Sequence, residues 1–173
     1  PDRRMTPGVD MTTGSLGQGS SSACGIALGN KMNKLNSYTY VVFGDGEQQE
    51  GQIWEAAMFA SHNKLSNLIA FVDYNKLQID GTTDEICSLG DLSAKYNSFG
   101  WNVQVIDGHS ICDIYNAIMK IKNKEDNESP SAIIMNTLKG KGILEFENKI
   151  SSHNAVFSSK ILEQGLKELE VMF

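Results

Sequence analysis

Apolar residues along the chain fall into short unbroken runs separated by stretches with helical spacing. Tyr38-Thr39-Tyr40-Val41-Val42-Phe43 and Leu68-Ile69-Ala70-Phe71-Val72-Asp73 are β-branched and aromatic, the signature of strands buried on both faces of a parallel sheet. Between them Ile53, Ala56, Ala57 and Ala60 recur at helical spacing and predict a helix over 52–63. Upstream, 17–34 is rich in Gly, Ala and Ser with Ile26, Leu28 and Met32, which predicts a helix that packs closely. Downstream, Trp101 to Ile106 alternates like a strand, and Ile111, Ile114, Tyr115 and Ile118 mark one face of a helix. The polar run 122–129 reads as a solvated turn, 132–136 as another buried strand, and Leu162, Gly165, Leu166 and Leu169 as a last amphipathic helix. Residues 76–100 read as a long irregular connection with a short helix near 91–97. No repeat and no linker divides the sequence. Four strands alternating with helices predict one α/β domain over 1–173: three layers, a mostly parallel sheet with helices on both faces.

That order of elements brings two distant residues together. Gly44-Asp45-Gly46 closes the first run and Asn75 closes the second. A strand–helix–strand unit crosses over right-handed, so Asp45 and Asn75 are expected at the same carboxyl edge of the sheet. Open α/β sheets bind phosphorylated ligands at that edge. Taken alone, Asp between two glycines is as readily an ordinary turn. With Asn75 beside it, Asp45 becomes a candidate hard-oxygen ligand for Mg²⁺, shared with phosphate and water. Gly46 then frees backbone for a phosphate to approach its N–H, and the loop Lys76-Leu77 offers a carbonyl to the same ion.

Composition narrows the partners. At 173 residues the chain can bury a real core, and 40% apolar with 21% charged residues is ordinary for a globular protein. A formal charge of −6 argues against a nucleic-acid face, which needs a clustered basic stripe. Cys24, Cys87 and Cys112 are odd in number, widely spaced and without a CxxC, so reduced thiols and a cytoplasmic location are expected. No apolar run approaches the ~18 residues of a membrane span, and no signal-peptide pattern opens the chain. Pro1-Asp2-Arg3-Arg4 reads like the middle of a loop, which leads to the expectation of a longer protein whose N-terminal portion, including a first strand, precedes it.

Four segments in order resemble the thiamine-diphosphate-dependent transketolase family. Asp10-Met11-Thr12-Thr13-Gly14-Ser15-Leu16-Gly17-Gln18-Gly19 is similar to the loop that touches the cofactor's aminopyrimidine ring. Gly44-Asp45-Gly46-Glu47-Gln48-Gln49-Glu50-Gly51 and Asp73-Tyr74-Asn75-Lys76-Leu77-Gln78-Ile79-Asp80-Gly81 resemble its two metal–diphosphate segments, at the family spacing. Lys139-Gly140-Lys141-Gly142, followed by His153, resembles the segment bearing a histidine near diphosphate and substrate; Asn154 stands where the family carries Gly.

The resemblance implies thiamine diphosphate with Mg²⁺ (or Ca²⁺) held by Asp45, Asn75 and the Leu77 carbonyl. It implies that the Gly46 N–H contacts diphosphate, that Gly14, Ser15 and Leu16 line the pyrimidine pocket, and that Ile79 packs on the thiazolium ring. His153 would serve the reaction, and Glu50 would link paired active sites across a subunit interface, unless Glu50 is simply a solvated acid at a helix start. His62 and His109 are expected in surface or capping roles. The implied activity is transfer of a two-carbon ketol unit from a ketose phosphate to an aldose phosphate. It requires a pyrimidine-binding partner chain, in a homo- or heterodimer or tetramer. The alternatives are a non-catalytic cofactor-binding module, or a different thiamine-diphosphate enzyme of the deoxyxylulose-phosphate synthase or 2-oxoacid dehydrogenase type.

Overall fold

A computed structural model describes residues 2–125 and 127–172. Pro1, Asp126 and Phe173 lie outside the described residues, and with them one position of the polar run 122–129. The chain forms α1 (Gln18–Met32), β1 (Thr39–Gly44), a 3₁₀ turn (Gly46–Gln49), α2 (Gly51–His62) and β2 (Leu68–Tyr74). The short strands β3 (Leu77–Gln78) and β4 (Gly81–Thr82) follow, then α3 (Thr83–Cys87) and α4 (Leu92–Ser98). The second half contains β5 (Asn102–Asp107), α5 (Ile111–Lys122), β6 (Ser131–Asn136), a 3₁₀ turn (Ile150–Asn154) and α6 (Ser159–Met172).

The four long strands make one sheet in the order β1-β2-β6-β5, every pair parallel. Alternate residues serve opposite faces, as the pleat requires. Leu68, Ala70 and Val72 of β2, with Ala132 and Ile134 of β6, pack against Ala23 and Ala27 of α1, Ile53, Ala57 and Ala60 of α2, and Tyr96 of α4. Ile69, Phe71 and Ile133 turn to the other face, under Ala117 and Ile121 of α5. The predicted three-layer α/β architecture is therefore what forms, with α1, α2 and α4 on one side and α5 on the other. Small residues at the α1–α2 contact, Ala23, Cys24 and Ala27 on α1 and Ala56, Ala57 and Ala60 on α2, let the two helices approach closely.

The irregular connection over 76–100 is more ordered than its sequence pattern predicts. Leu77 and Gln78 pair antiparallel with Thr82 and Gly81, and Thr82 with Glu85 forms a capping box that starts α3. At the free edge of the sheet, β1 leaves Tyr40 46% and Val42 68% exposed. Among the described residues no helix is long and apolar enough to cross a membrane.

The α1–α2 contact also sets cysteine chemistry. Cys24 is buried, its Sγ 3.6 Å from the Ala56 carbonyl, and burial pushes its thiol up to about 11. Cys87 and Cys112 are exposed. At about pH 8, iodoacetamide is expected to modify the two exposed thiols and spare Cys24 in the folded protein, because only the thiolate reacts. Mass spectrometry showing rapid modification at Cys24 would contradict the packing of α1.

Candidate functional site

Parallel pairing of β1 with β2 aligns Gly44 with Asp73, so the chain leaves both strands at the same level of the sheet. Asp45 caps the 3₁₀ turn that follows β1 and is 2% exposed. Its N–H donates to the Asp73 carbonyl at 3.2 Å. Its Oδ1 accepts the Gly46 N–H at 2.7 Å, and its Oδ2 accepts the Lys76 N–H from the segment after β2. Lys76 adopts a left-handed conformation, φ 66°, which turns its amide back toward Asp45. Asn75 stands next to it, its Oδ1 accepting the Leu77 N–H at 3.0 Å. The two segments singled out in sequence are thus joined by backbone-to-carboxylate bonds.

Electrostatics make this carboxylate unusual. Burial pushes the Asp45 carboxyl above the ordinary carboxylate range, against the opposing effect of the Lys76 and Gly46 amides; Asp73 pushes it further up and Lys139 pulls it down. Among the described residues no ion pair reaches it. A buried carboxylate without a counter-ion is costly unless a cation joins it. The donor set fits such a cation: one carboxylate, one amide oxygen and a neighbouring backbone carbonyl at Leu77 are hard oxygen ligands of the kind Mg²⁺ takes with phosphate and water. Among the described residues no three His, Cys, Asp or Glu side chains cluster as a metal site, so the fit rests on this mixed set.

The remaining candidates are placed around this point. Gly14, Ser15 and Leu16 lie in the loop before α1 and line a groove of about 780 Å³ that runs along the free edge of β1. Glu47 also lines it; its Oε1 accepts the Gly17 N–H at 2.8 Å and its Oε2 the Gly44 N–H at 3.2 Å. Glu47 therefore staples the loop before α1 to the turn after β1. Its sequence signal was its place inside the Gly44–Gly51 motif, but its partners could not be read from sequence. Asp45, Asn75, Leu77 and Ile79 do not line this groove. The Gly46 N–H is turned onto Asp45, and Ile79 is 59% exposed at the tip of the β3–β4 hairpin. Glu50 is exposed at the start of α2 and makes no capping bond with its side chain.

His153 is exposed in the second 3₁₀ turn, which packs against β3, and its Nδ1 lies 3.1 Å from the Lys139 Nζ. His109 is exposed, as expected of a surface or capping residue, and it also fastens: its Nε2 accepts the Leu138 N–H at 2.7 Å, and its own N–H donates to Asp107 Oδ1. Asp73 accepts a hydrogen bond from the Thr137 hydroxyl, so the start of the Lys139 segment is fixed to the end of β2. His62 is exposed.

Comparison with known proteins bears on the chain as a whole. Residues 1–169 match the model of the family described as transketolase, thiamine diphosphate binding domain. The chain is 50% identical over 169 residues to the 6-deoxy-6-sulfo-D-fructose transketolase subunit SqwG of Clostridium sp. (strain MSTE9), covering 98% of this chain and 61% of that protein. It is 40% identical over 163 residues to an apulose-4-phosphate transketolase subunit of Phocaeicola vulgatus, covering 94% of this chain and 57% of that one. The crystal structure of a transketolase from Pichia stipitis with sedoheptulose-7-phosphate superposes with a TM-score of 0.87 at 33% identity, over 98% of this chain and 26% of that one. The chain thus spans roughly three fifths of the length of the two curated relatives named here.

Proposed function

Since the chain belongs to the transketolase thiamine diphosphate-binding family, we propose that it is the diphosphate- and Mg²⁺-holding part of a transketolase that passes a two-carbon ketol unit between sugars. The observation that carries this reading is the buried Asp45 carboxylate, in no ion pair among the described residues and held by amides from both sheet-edge segments. Asp45, Asn75 and the Leu77 carbonyl would hold Mg²⁺, and Ca²⁺ would fit the same oxygens. The Gly46 N–H would exchange its bond to Asp45 for one to diphosphate. Gly14, Ser15 and Leu16 would meet the pyrimidine ring and Ile79 the thiazolium ring. His153, beside Lys139, would orient the anionic sugar, and Glu50 would lie at a contact between protomers. Bound thiamine diphosphate supplies carbanion stabilisation that no side chain provides.

Two relatives are named as subunits, which supports a partner chain carrying the pyrimidine-binding half. Their named substrates support a ketose with an anionic group, phosphate or sulfonate, as donor class. The test combines the full-length protein, a pyrimidine-half partner, thiamine diphosphate and Mg²⁺, with a ketose phosphate and 6-deoxy-6-sulfo-D-fructose as donors. Ketol transfer is expected only when both chains and the metal are present. Tight cofactor binding without transfer from either donor would identify a binding module and overturn the enzymatic reading.

A further inference from the structure

Two adjacent glutamines lie between the buried carboxylate and α2, and the metal clamp leaves both unassigned. Gln48 is 1% exposed, yet its polar groups are engaged. Its N–H donates to the Asp45 carbonyl at 2.9 Å, and its carbonyl accepts the Trp54 Nε1–H at 2.9 Å. Its side-chain Nε2 donates to the Gly44 carbonyl at 3.4 Å, and its Oε1 accepts the Tyr96 hydroxyl at 2.7 Å. Tyr96 is itself 1% exposed, its ring 5.4 Å from Trp54 and 5.3 Å from Trp101. Gln49 makes the complementary contacts: its Nε2 donates to Gln78 Oε1 at 2.7 Å and to the Cys87 carbonyl at 2.9 Å.

These bonds join the two halves of the clamp. The turn after β1 carries Asp45 and Gly46; the connection after β2 carries Asn75 and Leu77. Gln49 ties the first to Gln78, the residue after Leu77, and to the end of α3. Gln48 ties it through Tyr96 to α4. The contact is close, since a Cβ on Gly46 would stand 3.2 Å from the Gln78 Cβ. A fully buried amide is stable only when satisfied, and a satisfied network fixes one arrangement of what it joins.

We propose that Gln48 and Gln49 are positioning residues that lock the Asp45 turn to the Asn75–Leu77 connection, presetting the cation's ligands before the cation arrives. Outer residues of this kind orient ligands and tune affinity without touching the metal. The proposal rests on the metal–diphosphate reading above. The test is calorimetry of Mg²⁺ with thiamine diphosphate on full-length wild type, Gln49→Ala and Gln48→Leu/Tyr96→Phe. The double variant replaces both partners of the buried bond, leaving neither orphaned. Gln49 is only half-buried, so its variant keeps the fold even if the double variant does not.

Metal-dependent cofactor affinity is expected to fall about 10-fold or more in both, with raised Mg²⁺ restoring occupancy. The electron paramagnetic resonance spectrum of bound Mn²⁺ is expected to change, a readout that a purely stabilising role would not move. Wild-type binding together with unchanged affinity and spectrum in Gln49→Ala overturns the positioning role and leaves the clamp standing. Absence of Mg²⁺-dependent binding in wild type overturns both.

Discussion

Replacing Asp45 by Ala is expected to abolish Mg²⁺-dependent binding of thiamine diphosphate, a loss of at least about 100-fold, because even residues behind a metal's ligands cost 10–100-fold. Folding should survive. The substitution removes two backbone-to-carboxylate bonds, from Gly46 and Lys76, each worth about 1.5–3 kcal/mol net for a charged acceptor. It also removes a buried carboxylate whose ionisation burial opposes, and the two effects offset. The thermal midpoint of the metal-free protein should therefore move by less than about 5 °C. Calorimetry showing undiminished Mg²⁺-dependent binding in Asp45→Ala would remove Asp45 from the metal.

The sign of the pH dependence follows from the same group. The Asp45 carboxyl is raised in the folded protein, so the stability it contributes is present below the ordinary Asp value and lost as pH rises through the raised one. At neutral pH its ionised form is a net cost in the metal-free protein, and a bound cation relieves that cost. The rise in thermal midpoint given by saturating Mg²⁺ and cofactor should accordingly be larger near pH 7.5 than near pH 5. A gain independent of pH would speak against Asp45 as the ligand.

β2 and β6 were legible because they are buried on both faces and read as unbroken apolar runs. β1 carries a similar run, but at the sheet edge one face stays open, with Tyr40 and Val42 exposed, and β5 was read from its alternation; all four were located to within a residue or so at each end. The shift at β5 has a physical cause. Trp101 reads as the first strand residue, but it is spent on the corner after α4, 6% exposed with its Nε1–H on the Ala57 carbonyl at 2.9 Å. The β3–β4 hairpin was not legible, since two residues a side show no period. In the site, the meeting of the turn after β1 with the segment after β2 followed from topology. The bond of Gln48 to Tyr96, 48 positions apart, did not, because nothing local in either residue announces the other. The same holds for His109 and Leu138, whose contact gives an exposed histidine, expected in a surface or capping role, a fastening part as well.

Gly140→Ala is expected to lower turnover far more than it lowers cofactor affinity. Gly140 adopts φ +74°, a conformation that costs a residue with a side chain about 1–2 kcal/mol. An added Cβ would also collide with the Phe146 carbonyl group, standing 2.7 Å from its carbon, and backbone cannot swing aside as a side-chain tip can. Overlap of this kind costs about 1–3 kcal/mol and is relieved by displacement of the segment. That segment is closed by the Asn148 N–H on the Lys139 carbonyl at 2.8 Å, so Lys139 and its contact with His153 move with it. A shift of about 1 Å in a group that orients substrate is worth about 100-fold in kcat/KM. Asp45, Asn75 and Leu77 are held by other bonds, so Mg²⁺-dependent cofactor affinity should stay within about threefold. Gly25→Ala in α1, where an added Cβ meets nothing within 4 Å, is the control expected to leave both readouts unchanged. Wild-type kcat/KM in Gly140→Ala would detach the Lys139–His153 segment from the reaction. An affinity loss as large as the loss of turnover would make that segment part of the diphosphate clamp itself, because then the cofactor, and not the sugar, would be what the displaced backbone had been holding.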